Sequence, residues 1–177
     1  RLQGWRLDLP GMRVVYLANA VALGSLGPGG AYEREKQLMP EMKIFWRVEG
    51  ESLQLAIETT TTGWVGFGIA ELGGMMGSDI VYVHEDGDEW KVVDSHAAAK
   101  SVPTTDTIQD WQLVSRSEAD GKVTFELQRA LEPCDPQDRP ILDNGSPTRI
   151  VAAHGSSSKT VSYHQANRVA MNIDFLD

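Results

Sequence analysis

The sequence predicts an all-β fold, an antiparallel sandwich of two sheets. Three observations carry this. Short runs with alternating apolar residues recur about every eight to twelve residues from residue 43 onward, as in a sandwich. Hairpin-type turn pairs separate several of them, at Glu49-Gly50, Asp86-Gly87 and Asp120-Gly121. Nothing keeps a helical period over three turns.

Taken in order, GSLGPGG (24–30) reads as a linker. It sets residues 1–30 apart as an extension or extra strands, with the sandwich domain over 31–177. Within the extension, VVYLANAVALGSL (14–26) is apolar but shorter than the roughly 20 residues that span a bilayer. It is read as extra strand or extended segment rather than as a transmembrane segment. KIFWRV (43–48) then puts Ile44, Trp46 and Val48 on one face, and Leu53, Leu55 and Ile57 repeat the pattern beyond the turn, making a hairpin. Strands follow at GWVGFGIA (63–70), DIVYVHED (79–86), EWKVVDS (89–95), DWQLVSRS (110–117), KVTFELQRA (122–130), TRIVAAH (148–154) and MNIDFLD (171–177). DSHAAAKS (94–101) is the one candidate short helix, capped by Asp94 or Ser95 and stopped by Pro103.

The net charge of −9 and pI near 4.9 argue against a nucleic-acid surface, which needs clustered Lys and Arg. Residues 41–177 hold eleven basic and twenty-two acidic side chains, so the folded part suits a cationic partner surface. The single cysteine, Cys134, excludes a disulfide within the chain; it is either a buried thiol or half of a bridge to another segment or protein. Asn144-Gly145-Ser146 fits a glycosylation acceptor, weakened by Pro147.

Six of the seventeen glycines lie between residues 63 and 77, where they surround Met75 and Met76. Glycine weakens a strand, so this density points either to a bulged edge or to a flat group lying against the backbone. A methionine on such a loop is either a gap-filler or a soft ligand for iron or copper. Haem iron with a methionine ligand usually takes a histidine as the other. Of the four histidines, His84 sits in an acidic turn and His96 beside alanines, while His154 and His164 both stand near strand ends. Spacing does not choose between those two.

TGWVGFGIAELGGMMGSDIVYV (62–83), DWQLVSRSE (110–118), ALEPCDPQDRPI (130–141) and SYHQANRVAMNIDFL (162–176) resemble the DOMON domain, in particular the amino-terminal DOMON domain of dopamine β-monooxygenase-like copper proteins. The resemblance covers roughly residues 38–177 and implies a β-sandwich. In the electron-transfer branch of that superfamily, haem b is held by a Met and a His. The family's methionine stands before a Gly-Ser step, matching Met76, and its histidine precedes the last strand, matching His164. The copper-enzyme branch itself has lost this pair.

By the same resemblance, Gly74 with Gly73 lets the loop approach the ring. Trp64, Phe67, Ile80 and Tyr82 are candidate wall residues, each also readable as core, and Arg168 or Lys159 is a candidate partner for a propionate. The resemblance further implies one-electron exchange with a redox partner protein or an adjoining oxidoreductase domain, in a secreted or lumenal setting. Cys134 matches the cysteine that ties the domain to its catalytic half in the copper enzymes; the copper-site histidine clusters of that half are absent here.

Two rival readings stand beside this one. Trp64, Trp90, Trp111 and Tyr163 could stack on sugars in a non-redox binding or interaction module, or Glu85-Asp86-Gly87-Asp88-Glu89 could hold calcium, although a solvated hairpin turn is the preferred reading of that run. No nucleophile motif supports an autonomous enzyme.

Overall fold

The computed structural model describes residues 31–176. The predicted 1–30 extension and its apolar stretch lie outside the described residues. The strands are β1 (Arg34–Met39), β2 (Met42–Glu49), β3 (Ser52–Thr59), β4 (Val65–Ile69), β5 (Asp79–Asp86), β6 (Glu89–His96), β7 (Thr104–Thr105), β8 (Gln112–Ala119), β9 (Lys122–Ala130), β10 (Thr148–His154) and β11 (Arg168–Ile173). They form two antiparallel sheets, ordered β1-β2-β3-β9-β8 and β11-β10-β4-β5-β6-β7. Among the described residues no helix is long and apolar enough to cross a membrane.

Alternation explains the core. Rows Ile44–Ile57–Phe125 and Trp46–Leu55–Leu127 run across β2, β3 and β9, all buried on the inner face of the first sheet. Against them pack Val65, Phe67 and Ile69 of β4, Val81 and Val83 of β5, and Ile150 and Ala152 of β10. Phe67 sits in an aromatic cluster, edge-on to Trp111 and Phe175 at 6.4 Å each, while Trp46 meets Phe175 at 5.5 Å. Each such side chain contributes about 1.5–3 kcal/mol by leaving water.

The structure departs from the sequence expectation in four places. Residues 94–101 form no helix: Asp94–His96 complete β6, paired with Asp79–Val81, and the backbone amides of Asp110 and Trp111 donate to the Asp94 carboxylate. A run of three alanines is too short to outweigh a strand already in register. Strand β1 was not expected, because its REKQLM sequence lacks a clear apolar face; it joins as an edge strand on β2. The two-residue β7 was also not expected. The last strand begins at Arg168 rather than residue 171.

One feature distinguishes the six-stranded sheet. All five residues of β4 and the first five of β5 are buried, although the outer face of a two-layer sandwich ordinarily meets water. The acidic run at residues 85–89 is the hairpin turn between β5 and β6, with Gly87 at φ 68° and Asp86 paired to Lys91.

Candidate functional site

Register places two rows of side chains on that outer face. One row reads Ala170, Val151, Gly68 and Ile80 across β11, β10, β4 and β5; the next reads Arg168, Ala153, Gly66 and Tyr82. The centre of the face is therefore a floor of glycine, alanine and valine, with Ile80 and Tyr82 on one side. These residues belong to a cavity of about 850 Å³, within the range of small-molecule and cofactor sites. Gly66 forms part of the floor: a Cβ there would stand 3.3 Å from Trp64 Cζ3. At Gly68 a Cβ would meet the Asp79 carbonyl at 2.6 Å, so that glycine serves close strand packing.

Three connections supply the walls. The β4–β5 loop brings Gly74 and Met75, the β6–β7 loop brings Lys100, Ser101, Val102 and Pro103, and the β10–β11 loop brings Val161, Tyr163 and His164. The first two loops are tied together, since the Gly77 amide donates to the Ala97 carbonyl at 2.8 Å and the Ala97 amide to Ser78 at 2.9 Å. The third is pinned to the β3–β4 connection: the Trp64 amide donates to Ser158, the Gly155 amide to Trp64, and the Thr61 hydroxyl to Gly155. Gly63 and Gly155 cross so closely there that a Cβ at Gly63 would lie 2.4 Å from the Gly155 oxygen.

Met75 lines this cavity, whereas the expected ligand Met76 does not. The reason is a turn. The Ser78 amide donates to the Met75 carbonyl at 3.1 Å and Gly77 has φ 77°, the signature of a type II turn with glycine at its third position. Met76 stands at the outer corner, 54% exposed, in a separate groove with Leu72, His96 and Arg139. Trp64, Phe67, Gly74, Tyr82, His164 and Arg168 all border the cavity, Phe67 with its ring committed to the core.

His164 shares the cavity with Met75, and its Nδ1–H donates to the Gln165 carbonyl at 3.1 Å, which leaves the lone pair on Nε2. His154 lies on the inner face of β10, 4% exposed, with Nδ1–H directed at the Gly155 carbonyl and Nε2 3.7 Å from Glu41. Lys159 is engaged by Glu85 and does not border the cavity. Sequence reasoning missed Lys100, Val151, Ala153 and Ala170; the alternating small residues of TRIVAAH and RVAMNI were the available signal. Lys100 and Arg168 are the formally charged residues on the wall, which carries no carboxylate, in a chain with 25 acidic side chains.

Of the aromatic residues considered for sugar stacking, Trp64 and Tyr163 border the same cavity and Trp90 and Trp111 do not. Trp111 and Trp64 are buried, Trp90 packs on Phe125, and Tyr163 is exposed at the cavity rim. Cys134 is an exposed free thiol. A second buried polar cluster lies around Asp79, Asp94 and Asp138, where burial raises all three carboxyls, Asp94 to about 6 and Asp138 to about 8.

Residues 39–155 match the DOMON domain family, a stretch that holds β4, β5 and β10 of the floor and the methionine loop. The chain belongs to the DOMON domain family. This DOMON domain is 31% identical over 166 residues to DBH-like monooxygenase protein 1 of Mus musculus, across 91% of the chain and 26% of that protein. The chain thus spans about a quarter of that relative's length. In fold it resembles the cytochrome domain of Myriococcum thermophilum cellobiose dehydrogenase, with a TM-score of 0.59 at 10% identity over 77% of the chain and 78% of that domain. It also resembles the cytochrome b domain of pyranose dehydrogenase from Coprinopsis cinerea, at TM-score 0.56 and 13% identity over 75% of each chain. At these identities the two likenesses concern the fold alone.

The residues present fit haem b on four counts. The floor admits a flat group, a thioether and an imidazole border the same space, the lining is mostly apolar, and its cations suit propionates.

Proposed function

We propose that this DOMON domain binds haem b through Met75 and His164 and passes single electrons to or from a partner protein or an adjoining oxidoreductase domain. The observation that supports the reading most is the sharing of one apolar cavity by Met75 and His164, which are 89 residues apart in sequence. Haem, when bound, supplies a one-electron iron couple. The Met75 sulfur would be one ligand to the iron, and a thioether favours the reduced metal relative to a second imidazole. His164 would be the other through Nε2, with the Gln165 carbonyl orienting its ring from Nδ1. With both side chains holding the iron, the site would suit electron exchange rather than oxygen or substrate activation. Arg168 and Lys100 would hold the propionates, while Trp64, Tyr82 and Ile80 keep water from the ring.

In this reading the chain is a module without chemistry of its own, working in a secreted or lumenal protein longer than itself. The comparison with a relative about four times its length supports that placement. Titration of the purified protein with hemin tests the proposal. The expected result is stoichiometric uptake and a six-coordinate low-spin spectrum with sharp α and β bands on reduction. Protein that stays colourless after hemin addition and desalting contradicts it.

A further inference from the structure

Among the described residues two non-glycine side chains stand on a left-handed backbone, Asp120 at φ 53° and Gln165 at φ 52°. Asp120 has a local reason: with Gly121 at φ 73° it makes the type I′ turn of the β8–β9 hairpin, where aspartate is favoured. Gln165 has none. Its turn is closed by the Asn167 amide, which donates to the His164 carbonyl at 2.9 Å. A positive φ confined to the first central residue marks a type II′ turn, and that place belongs to glycine. A glutamine held there costs about 1–3 kcal/mol, so its surroundings have to impose it.

They do. Asn167 Nδ2 donates to Ser156 Oγ at 3.0 Å, the Asn167 carbonyl accepts from the His154 amide at 3.1 Å, and the Arg168 amide donates to the Ala166 carbonyl at 2.8 Å. What this backbone positions is one oxygen. The direction of a carbonyl follows the dihedrals of its own residue, because the peptide unit is rigid. At Gln165 the carbonyl accepts from His164 Nδ1 and from Arg168 Nη1, each at 3.1 Å, using both its lone pairs. The Gln165 side chain is exposed and takes no part in either bond. His164 and Arg168 both border the cavity, so one backbone oxygen stations an imidazole and a guanidinium at the same rim.

We infer that Gln165 is a positioning residue for the cavity, acting through its left-handed backbone rather than its side chain. Its carbonyl keeps the His164 proton on Nδ1, leaves Nε2 free to ligate a metal, and tethers Arg168 beside it. The inference rests on the reading of His164 as an iron ligand. A ligating histidine whose other nitrogen is held by a carbonyl keeps one tautomer and one ring orientation. Without that carbonyl the proton is free to sit on Nε2, where it blocks coordination.

The test uses the whole chain, first without haem. Proton–nitrogen correlation NMR, at a pH well above the ordinary imidazole value of about 6.5, reads the His164 tautomer directly. The parent should show a protonated Nδ1 and a bare Nε2. Gln165→Gly and Gln165→Asn, both tolerant of positive φ, should keep that tautomer and bind hemin as the parent does. Gln165→Val does not tolerate it. This variant should admit the Nε2–H form and weaken hemin binding roughly tenfold or more, with the fold retained because the residue is exposed in a loop.

Parent protein that carries the proton on Nε2 overturns the inference by itself, before any variant is made. So does a Gln165→Val protein with the parent's tautomer and hemin affinity, or a Gln165→Gly protein that loses as much as Gln165→Val, since the side chain would then be the agent. If the tautomers behave as expected and no hemin is taken up, the haem reading fails and the positioning of His164 stands.

Discussion

At the residue scale, neighbours with the same side chain have different surroundings. Met75 and Met76 are indistinguishable by chemistry, and the motif position favoured Met76. The type II turn at Gly77 leaves Met75 at the cavity and turns Met76 outward. Turn geometry was not legible from two adjacent methionines. That His164 borders the cavity was suggested only by resemblance, since its position there depends on the loop before β11. Gly66 permits a direct test of the floor. Gly66→Leu should fill the cavity and weaken hemin binding by roughly tenfold or more, and lower Tm as well, since its Cβ would press on Trp64 Cζ3 at 3.3 Å. Gly68→Ala should cost about 1–3 kcal/mol in urea unfolding because its Cβ meets backbone oxygen.

At the element scale, the strand series was legible because alternation and turn glycines set it locally, and most strand ends fall within two residues of the expectation. Edge elements were not, because β1 and β7 carry no inward periodicity and exist through pairing with neighbours. The lost alternation in GWVGFGI and DIVYV had a physical meaning: both faces of β4 and β5 are covered. That pattern, rather than the count of glycines, locates the cavity. The centre of the other sheet is ordinary core, where Leu55 and Leu127 face each other fully buried. Leu55→Ala should cost about 2–5 kcal/mol by chemical denaturation and leave the position of the haem bands unchanged.

At the scale of the whole molecule, the charge of −9 is distributed unequally, with buried carboxylates at one site and cations around the cavity. This sets a pH dependence. Asp94 and Asp138 ionise near 3.8 when unfolded but are raised to about 6 and about 8 in the fold. Across that window the folded chain binds more protons than the unfolded one, so stability should fall as pH rises from about 4 to about 8. Urea midpoints measured along that series check it. The acidic exterior, legible from composition alone, should make association with a basic redox partner faster at low ionic strength. The most direct test of the central claim is the reduced spectrum of hemin-loaded Met75→Ala beside Met76→Ala. Loss of the low-spin bands in Met75→Ala and their retention in Met76→Ala is the predicted result; retention in Met75→Ala would contradict it.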